Sequence, residues 1–68
     1  MDKMKIGMKL VELRKERGET TSDVANAVGT TQAAISMYEC GQRIPRDHIK
    51  ENLSRHFGVP VEQIFFAE

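Results

Sequence analysis

One cysteine, no tryptophan and two prolines stand in a chain of 68 residues. A single thiol, Cys40, excludes an internal disulfide and a multi-cysteine zinc site, so a reducing cytoplasm is the expected compartment. No apolar run approaches the roughly 18 residues that span a bilayer. Met1-Asp2-Lys3-Met4-Lys5 leads into no apolar stretch or small-residue cleavage site, so no signal peptide is expected. Segments that alternate apolar and polar residues, the mark of a half-buried strand, are missing, as are repeats and linker-like tracts. An excess of either charge is missing as well, since 10 Lys+Arg balance 10 Asp+Glu. The length fits one small domain, residues 1–68, and such a chain buries only about 60% of its unfolded surface, leaving little room for a deep cleft. No nucleophile–base pair, paired carboxylates or phosphate loop is visible. His48 and His56 lie eight residues apart with no further ligand beside them, which is not a metal spacing. An enzyme, a cofactor, a metal and a small-molecule ligand are all unexpected.

What the sequence does contain is helical spacing punctuated by glycine. Ile6, Leu10 and Leu13 make one apolar stripe on a helix from about Lys5 to Arg17, ended by Gly18. Gly7 inside it costs about 1 kcal/mol relative to alanine and weakens its first turn. Thr20 is a candidate N-cap, with Asp23 three residues on, for a helix over Thr21–Val28 that buries Val24, Ala25 and Val28. Thr31 opens a third helix, Gln32 to about Cys40, with Ala34, Ile35 and Tyr38 turned inward. Pro45 keeps Ile44 out of helix. A fourth helix from Arg46 or Asp47 to Phe57 presents Ile49, Leu53 and Phe57. A short fifth, Val61–Phe66, follows Pro60. The fold class is therefore all-α, a compact bundle of five short helices.

The stretch from Thr21 to Cys40 is the informative one. Two helices of about two turns each are separated only by Gly29-Thr30-Thr31, too short a link for an antiparallel return, so they must cross steeply as in a helix-turn-helix. Three positions are demanding. Ala25 has to be small where the second helix passes over it, Gly29 has to take positive φ, and Ile35 has to reach back into the core. All three demands are met together.

Leu13-Arg14-Lys15, Val24-Ala25, Val28-Gly29, Ile35-Ser36, Glu39 with Gly41, Pro45, Phe57-Gly58-Val59 and Ile64-Phe65, in that order and spacing, give the chain a family likeness. From Ile6 to Phe66 it resembles the Cro and repressor-type (XRE-like) helix-turn-helix regulators. The resemblance implies a phage-repressor-type DNA-binding domain that acts as a homodimer on palindromic double-stranded operators. It implies an ion pair between Arg14 and Glu39, and each of these does lie one residue past an apolar position of its helix. It also implies that Gln32, Ala33, Ser36 and Met37 face outward from a recognition helix in the major groove.

Gln32 has the chemistry to bond adenine in bidentate fashion, and Ala33 or Met37 to touch a thymine methyl. Thr21 and Thr31, at helix starts, suit phosphate oxygens, and Arg43 and Arg46 are candidates for phosphate or minor-groove contact. Residues 1–17 hold six basic and three acidic side chains, whereas residues 18–42 hold three acids and no Lys or Arg. The recognition face thus departs from the family in carrying Ala33, Met37 and Cys40 where Gln, Arg or Lys are common. That departure keeps a rival open, a protein-interaction module of antirepressor or antitoxin type. Ile64, Phe65 and Phe66 are the dimer candidates, one ring completing the core and the other lying at a subunit surface. Met1, Met4 and Met8 form a stripe that belongs either in the core or against a partner. Cys40 is expected to be an inert thiol, and both histidines to be solvated.

Overall fold

Asp2 starts the first helix. In the computed structural model, which describes residues 1–66, its carboxylate accepts from the amides of Met4 at 3.0 Å and Lys5 at 3.2 Å. Helix α1 therefore runs Lys3–Glu16, two residues earlier than the apolar stripe suggests, because the Asp2 cap satisfies the amides of its first turn. The remaining helices are α2 (Thr21–Val28), α3 (Gln32–Glu39), α4 (Asp47–Phe57) and α5 (Val61–Phe65). Among the described residues no strand forms, and no helix is long and apolar enough to cross a membrane.

The expected core positions converge. Ile6, Leu10 and Leu13 of α1 meet Val24, Ala25 and Val28 of α2 and Ala34, Ile35 and Tyr38 of α3. Ile49, Leu53 and Phe57 of α4 close the cluster with Ile64 and Phe65 of α5. Helix α1 packs on α3 and α5, and α2 packs on α3 and α4. The methionine stripe stays outside: Met1, Met4 and Met8 are 59%, 58% and 68% exposed, so the core half of that expectation is excluded.

Gly7 has a different role from the weak point its helix propensity suggests. It is buried at the crossing of α1 over the end of α3, where a Cβ would lie 2.4 Å from the Glu39 carbonyl oxygen and 2.8 Å from that of Tyr38. Only a residue without a side chain lets the two backbones approach this closely.

The aromatic pair at the end of the chain divides. Ile64 and Phe65 are 3% and 2% exposed and are consumed by the chain's own core, which corrects their place among the dimer candidates. Helix α5 stops one residue short of Phe66, whose ring is 53% exposed with the Lys50 ammonium 5.5 Å from its centroid.

His56 is likewise not the solvated side chain expected. It is 15% exposed, and its Nε2 donates at 2.9 Å to Oε1 of Glu19, in the loop between α1 and α2, which also accepts from Arg17 Nε at 3.0 Å. Burial raises the Glu19 carboxyl, but the bonds and charges of His56 and Arg17 outweigh it and hold the group below its ordinary value of 4.5. A carboxylate with a depressed folded value stabilises the fold above its unfolded value and loses that contribution as pH falls through the folded one. Glu19→Gln is therefore expected to unfold at lower urea than the parent at about pH 6, the gap closing as pH falls below about 4. Urea midpoints measured across that range check this. A gap unchanged at about pH 3 would show that the charge contributes nothing.

Candidate nucleic-acid interface

The turn between α2 and α3 sets the geometry of this surface. Gly29 takes φ 80 and ψ 38, donates to the Ala25 carbonyl at 3.0 Å, and is followed by Thr30 donating to the same oxygen at 3.0 Å. The two bonds converge on one oxygen and close the helix as an αL cap, which requires the left-handed conformation that glycine adopts without strain. Asn52 of α4 donates from its Nδ2 to the Val28 carbonyl at 3.1 Å. The chain then enters α3 at Thr31, whose hydroxyl accepts from the Ala34 amide at 3.1 Å. Ala25 and Ile35 are only 2% and 1% exposed, as a crossing pair requires.

With Ala34, Ile35 and Tyr38 turned inward, the other side of α3 carries Gln32, Ala33, Ser36 and Met37. Gln32 and Ala33 are exposed, and Ser36 and Met37 are half-buried. One side of a helix collects positions i, i+1, i+4 and i+5, so these four share a face. Helix α3 ends at Glu39 with Cys40 as its cap, one residue short of the expected boundary. Gln32 is not free to swing: its Nε2 donates to Thr21 Oγ1 at 3.1 Å, which joins the first residues of α2 and α3.

Two helix N-termini border this face, and they differ. Thr20 and Asp23 form a reciprocal capping box at α2, Asp23 Oδ2 accepting from the Thr20 amide at 2.9 Å and Thr20 Oγ1 from the Asp23 amide at 3.1 Å. Those Thr20 bonds hold the Asp23 carboxyl below its usual range, so a negative charge already sits on the first turn of α2. No acidic residue lies in the first turn of α3, and its cap leaves the Gln32 and Ala33 amides without an intrahelical acceptor. Of the two, α3 is the better place for an anion.

A cleft opens between the α2–α3 turn and the loop into α4. Thr31, Arg43, Arg46 and His48 line it, over a floor of Tyr38 and Ile49. Among the described residues neither arginine forms an ion pair. His48 is exposed on the first turn of α4 and was not singled out from the sequence as part of this group. Its nearness to Arg43 and Arg46 depends on the path of the loop over residues 43–46, which no local pattern in the sequence specifies. The eight residues expected to meet nucleic acid thus fall into three groups: Thr21 with Gln32; Ala33, Ser36 and Met37 along α3; and Thr31, Arg43 and Arg46 around the cleft.

Behind the face lies the pair that fixes the far end of α3. Arg14 Nε bonds Glu39 Oε2 at 2.7 Å and Nη2 bonds Oε1 at 3.0 Å, while Nη1 donates to the Glu19 carbonyl at 2.9 Å. One guanidinium thus ties together α1, the α1–α2 loop and α3. The bond to Glu39 raises the Arg14 pKa further above its ordinary value, although burial opposes this.

Residues 5–64 match the family described as the helix-turn-helix domain. The chain is similar to the cryptic phage CTXphi transcriptional repressor RstR of Vibrio cholerae, at 32% identity over 56 residues. That alignment takes in 82% of this chain and 50% of RstR, so the chain spans about half the length of that relative. Among solved structures, the restriction-modification controller protein C.AhdI from Aeromonas hydrophila superposes with a TM-score of 0.86 at 25% identity, over 94% of this chain and 97% of that one. The clp gene regulator ClgR from C. glutamicum superposes with a TM-score of 0.82 at 18% identity, over 97% of this chain and 86% of its own, a likeness of fold.

Proposed function

We propose that this chain, which belongs to the helix-turn-helix domain family, binds double-stranded DNA sequence-selectively as a repressor-like transcriptional regulator, with the N-terminal half of α3 in the major groove. The observation that carries this reading is the juxtaposition of an exposed α3 edge with unpaired cations. Gln32 and Ala33 project at the helix start, and Arg43 and Arg46 flank it without ion-pair partners among the described residues. Arg43, Arg46 and the free amides at the start of α3 take phosphate oxygens and set the register; Gln32, Ala33, Ser36 and Met37 meet base edges. Thr21 accepts from Gln32 and keeps its own O–H for a phosphate. The similarity to RstR, a transcriptional repressor, and to C.AhdI, a controller protein, supports the same assignment.

The working unit in this proposal is a cytoplasmic homodimer on a palindromic operator, with the exposed Phe66 ring at the subunit boundary. The zero net charge keeps non-specific affinity modest, since phosphate neutralisation supplies most of it.

Selection of bound duplexes from a random pool tests this. A palindrome with half-sites about one helical turn apart is expected. On the enriched duplex, Gln32→Ala should relax preference at one base position. Arg43→Ala should weaken all sequences alike and flatten the dependence of log affinity on log salt by about one unit. Absence of enrichment at low salt, or a partner interaction indifferent to salt, would favour the protein-interaction module instead.

A further inference from the structure

We infer that α3 discriminates its site by the C5-methyl groups of thymine, felt by Ala33 and Met37 beside an A·T pair read by Gln32. This rests on the duplex-binding proposal and narrows it to a class of base step.

Three observations lead there. Residues 18–42 contain no Lys or Arg, so the α2–α3 unit lacks the cationic donors that commonly pair with O6 and N7 of guanine. Gln32 has one amide N–H committed to Thr21, at 3.1 Å. What remains is its carbonyl oxygen and one N–H, the acceptor and donor that adenine's N6–H and N7 require. Pinning the amide also spares it the entropy of being ordered by the DNA. Finally, the neighbouring positions on that face, exposed Ala33 and half-buried Met37, end in methyl groups with no hydrogen-bonding atom to offer a base edge beyond a weak thioether acceptor. The thymine methyl is the apolar feature of the major groove, and it is the partner such side chains can gain from. Ser36, between them, donates or accepts and does not discriminate.

Deoxyuridine differs from thymidine by that methyl alone and pairs identically, so it isolates the contact. The duplex enriched from a random pool is resynthesised with deoxyuridine at one thymine at a time and titrated by fluorescence anisotropy at fixed salt. One or two thymines per half-site are expected to show an affinity loss of about fourfold, the worth of one buried methyl. Met37→Ala and Ala33→Gly should each abolish the loss at one thymine and keep it at the other. Because both duplexes are compared on the same variant, any change in folding cancels. If every thymine tolerates the replacement within about 1.5-fold, methyl reading is overturned while duplex binding stands. A selected half-site with G·C at the α3-facing positions has the same consequence. If no duplex is enriched at low salt, the parent proposal falls and this one with it.

Discussion

Arg14→Leu is expected to remove about 3–5 kcal/mol of stability, a large share of the roughly 3–10 kcal/mol that holds a domain of this size. The side chains of Arg14 and Glu39 are 16% and 10% exposed, so water can rescue little of what is lost when one partner goes. The variant strands the Glu39 carboxylate and leaves the Glu19 carbonyl without its donor, whereas Glu39→Leu strands the guanidinium instead. At about 4–8 °C per kcal/mol the melting temperature should fall by some 15 °C or more. The double variant, with leucine at both positions, should be more stable than either single one, because no unpaired charge remains in the interior. Thermal and urea unfolding of the four proteins give the coupling energy directly. Single-variant losses below about 1 kcal/mol would place the pair among ordinary surface ion pairs and sink its structural role. Glu39 is the last residue of α3, so losing its anchor also loosens the far end of the helix placed in the major groove by the proposed function.

The helices were legible where their periodicity had room to declare itself. Two or three turns of α1 and α4 place Ile6, Leu10 and Leu13, and Ile49, Leu53 and Phe57, on single faces, and the structure buries all six. The α2–α3 unit was legible because three steric demands at Ala25, Gly29 and Ile35 fall within eleven residues. Helix α5 was harder: five residues make little more than one turn, so no stripe shows which ring points inward, and Ile64 and Phe65 could be assigned to the core only in three dimensions. Bonds between distant segments of the chain were invisible for another reason. His56 and Glu19 are 37 positions apart and Gln32 and Thr21 are 11 apart, and residue type alone does not say which polar groups will meet. The Arg14–Glu39 pair, 25 positions apart, was reachable only through the family resemblance.

Gly7 is the sharpest case of a local rule overridden by packing, and Gly7→Ala turns it into a prediction of sign. In an exposed helix interior, alanine for glycine stabilises by about 1 kcal/mol. Here the added carbon would sit 2.4 Å from the Glu39 oxygen, 2.8 Å from the Tyr38 oxygen and 2.9 Å from the Glu39 carbonyl carbon. Those are backbone atoms in the last turn of α3. No side-chain rotation relieves the overlap, and the helices must part. Overpacking of this kind costs about 1–3 kcal/mol and occasionally more, and with contacts this short the upper end applies even after the propensity gain. A net loss of about 2 kcal/mol is expected, lowering the melting temperature by on the order of 10 °C. Gly7→Val should be worse, since it adds two methyls and loses the helix propensity of alanine. Because Arg14 and Met4 also meet the end of α3, through Glu39 and beside Gly41, parting the helices strains both contacts. Gly7→Ala and Arg14→Leu should therefore fall short of additivity when combined, because either one already disturbs this interface. Circular-dichroism melts of the two single variants and the double variant decide it. A Gly7→Ala protein as stable as the parent would mean that α1 lies farther from α3 than its glycine allows, and the close crossing would have to be given up.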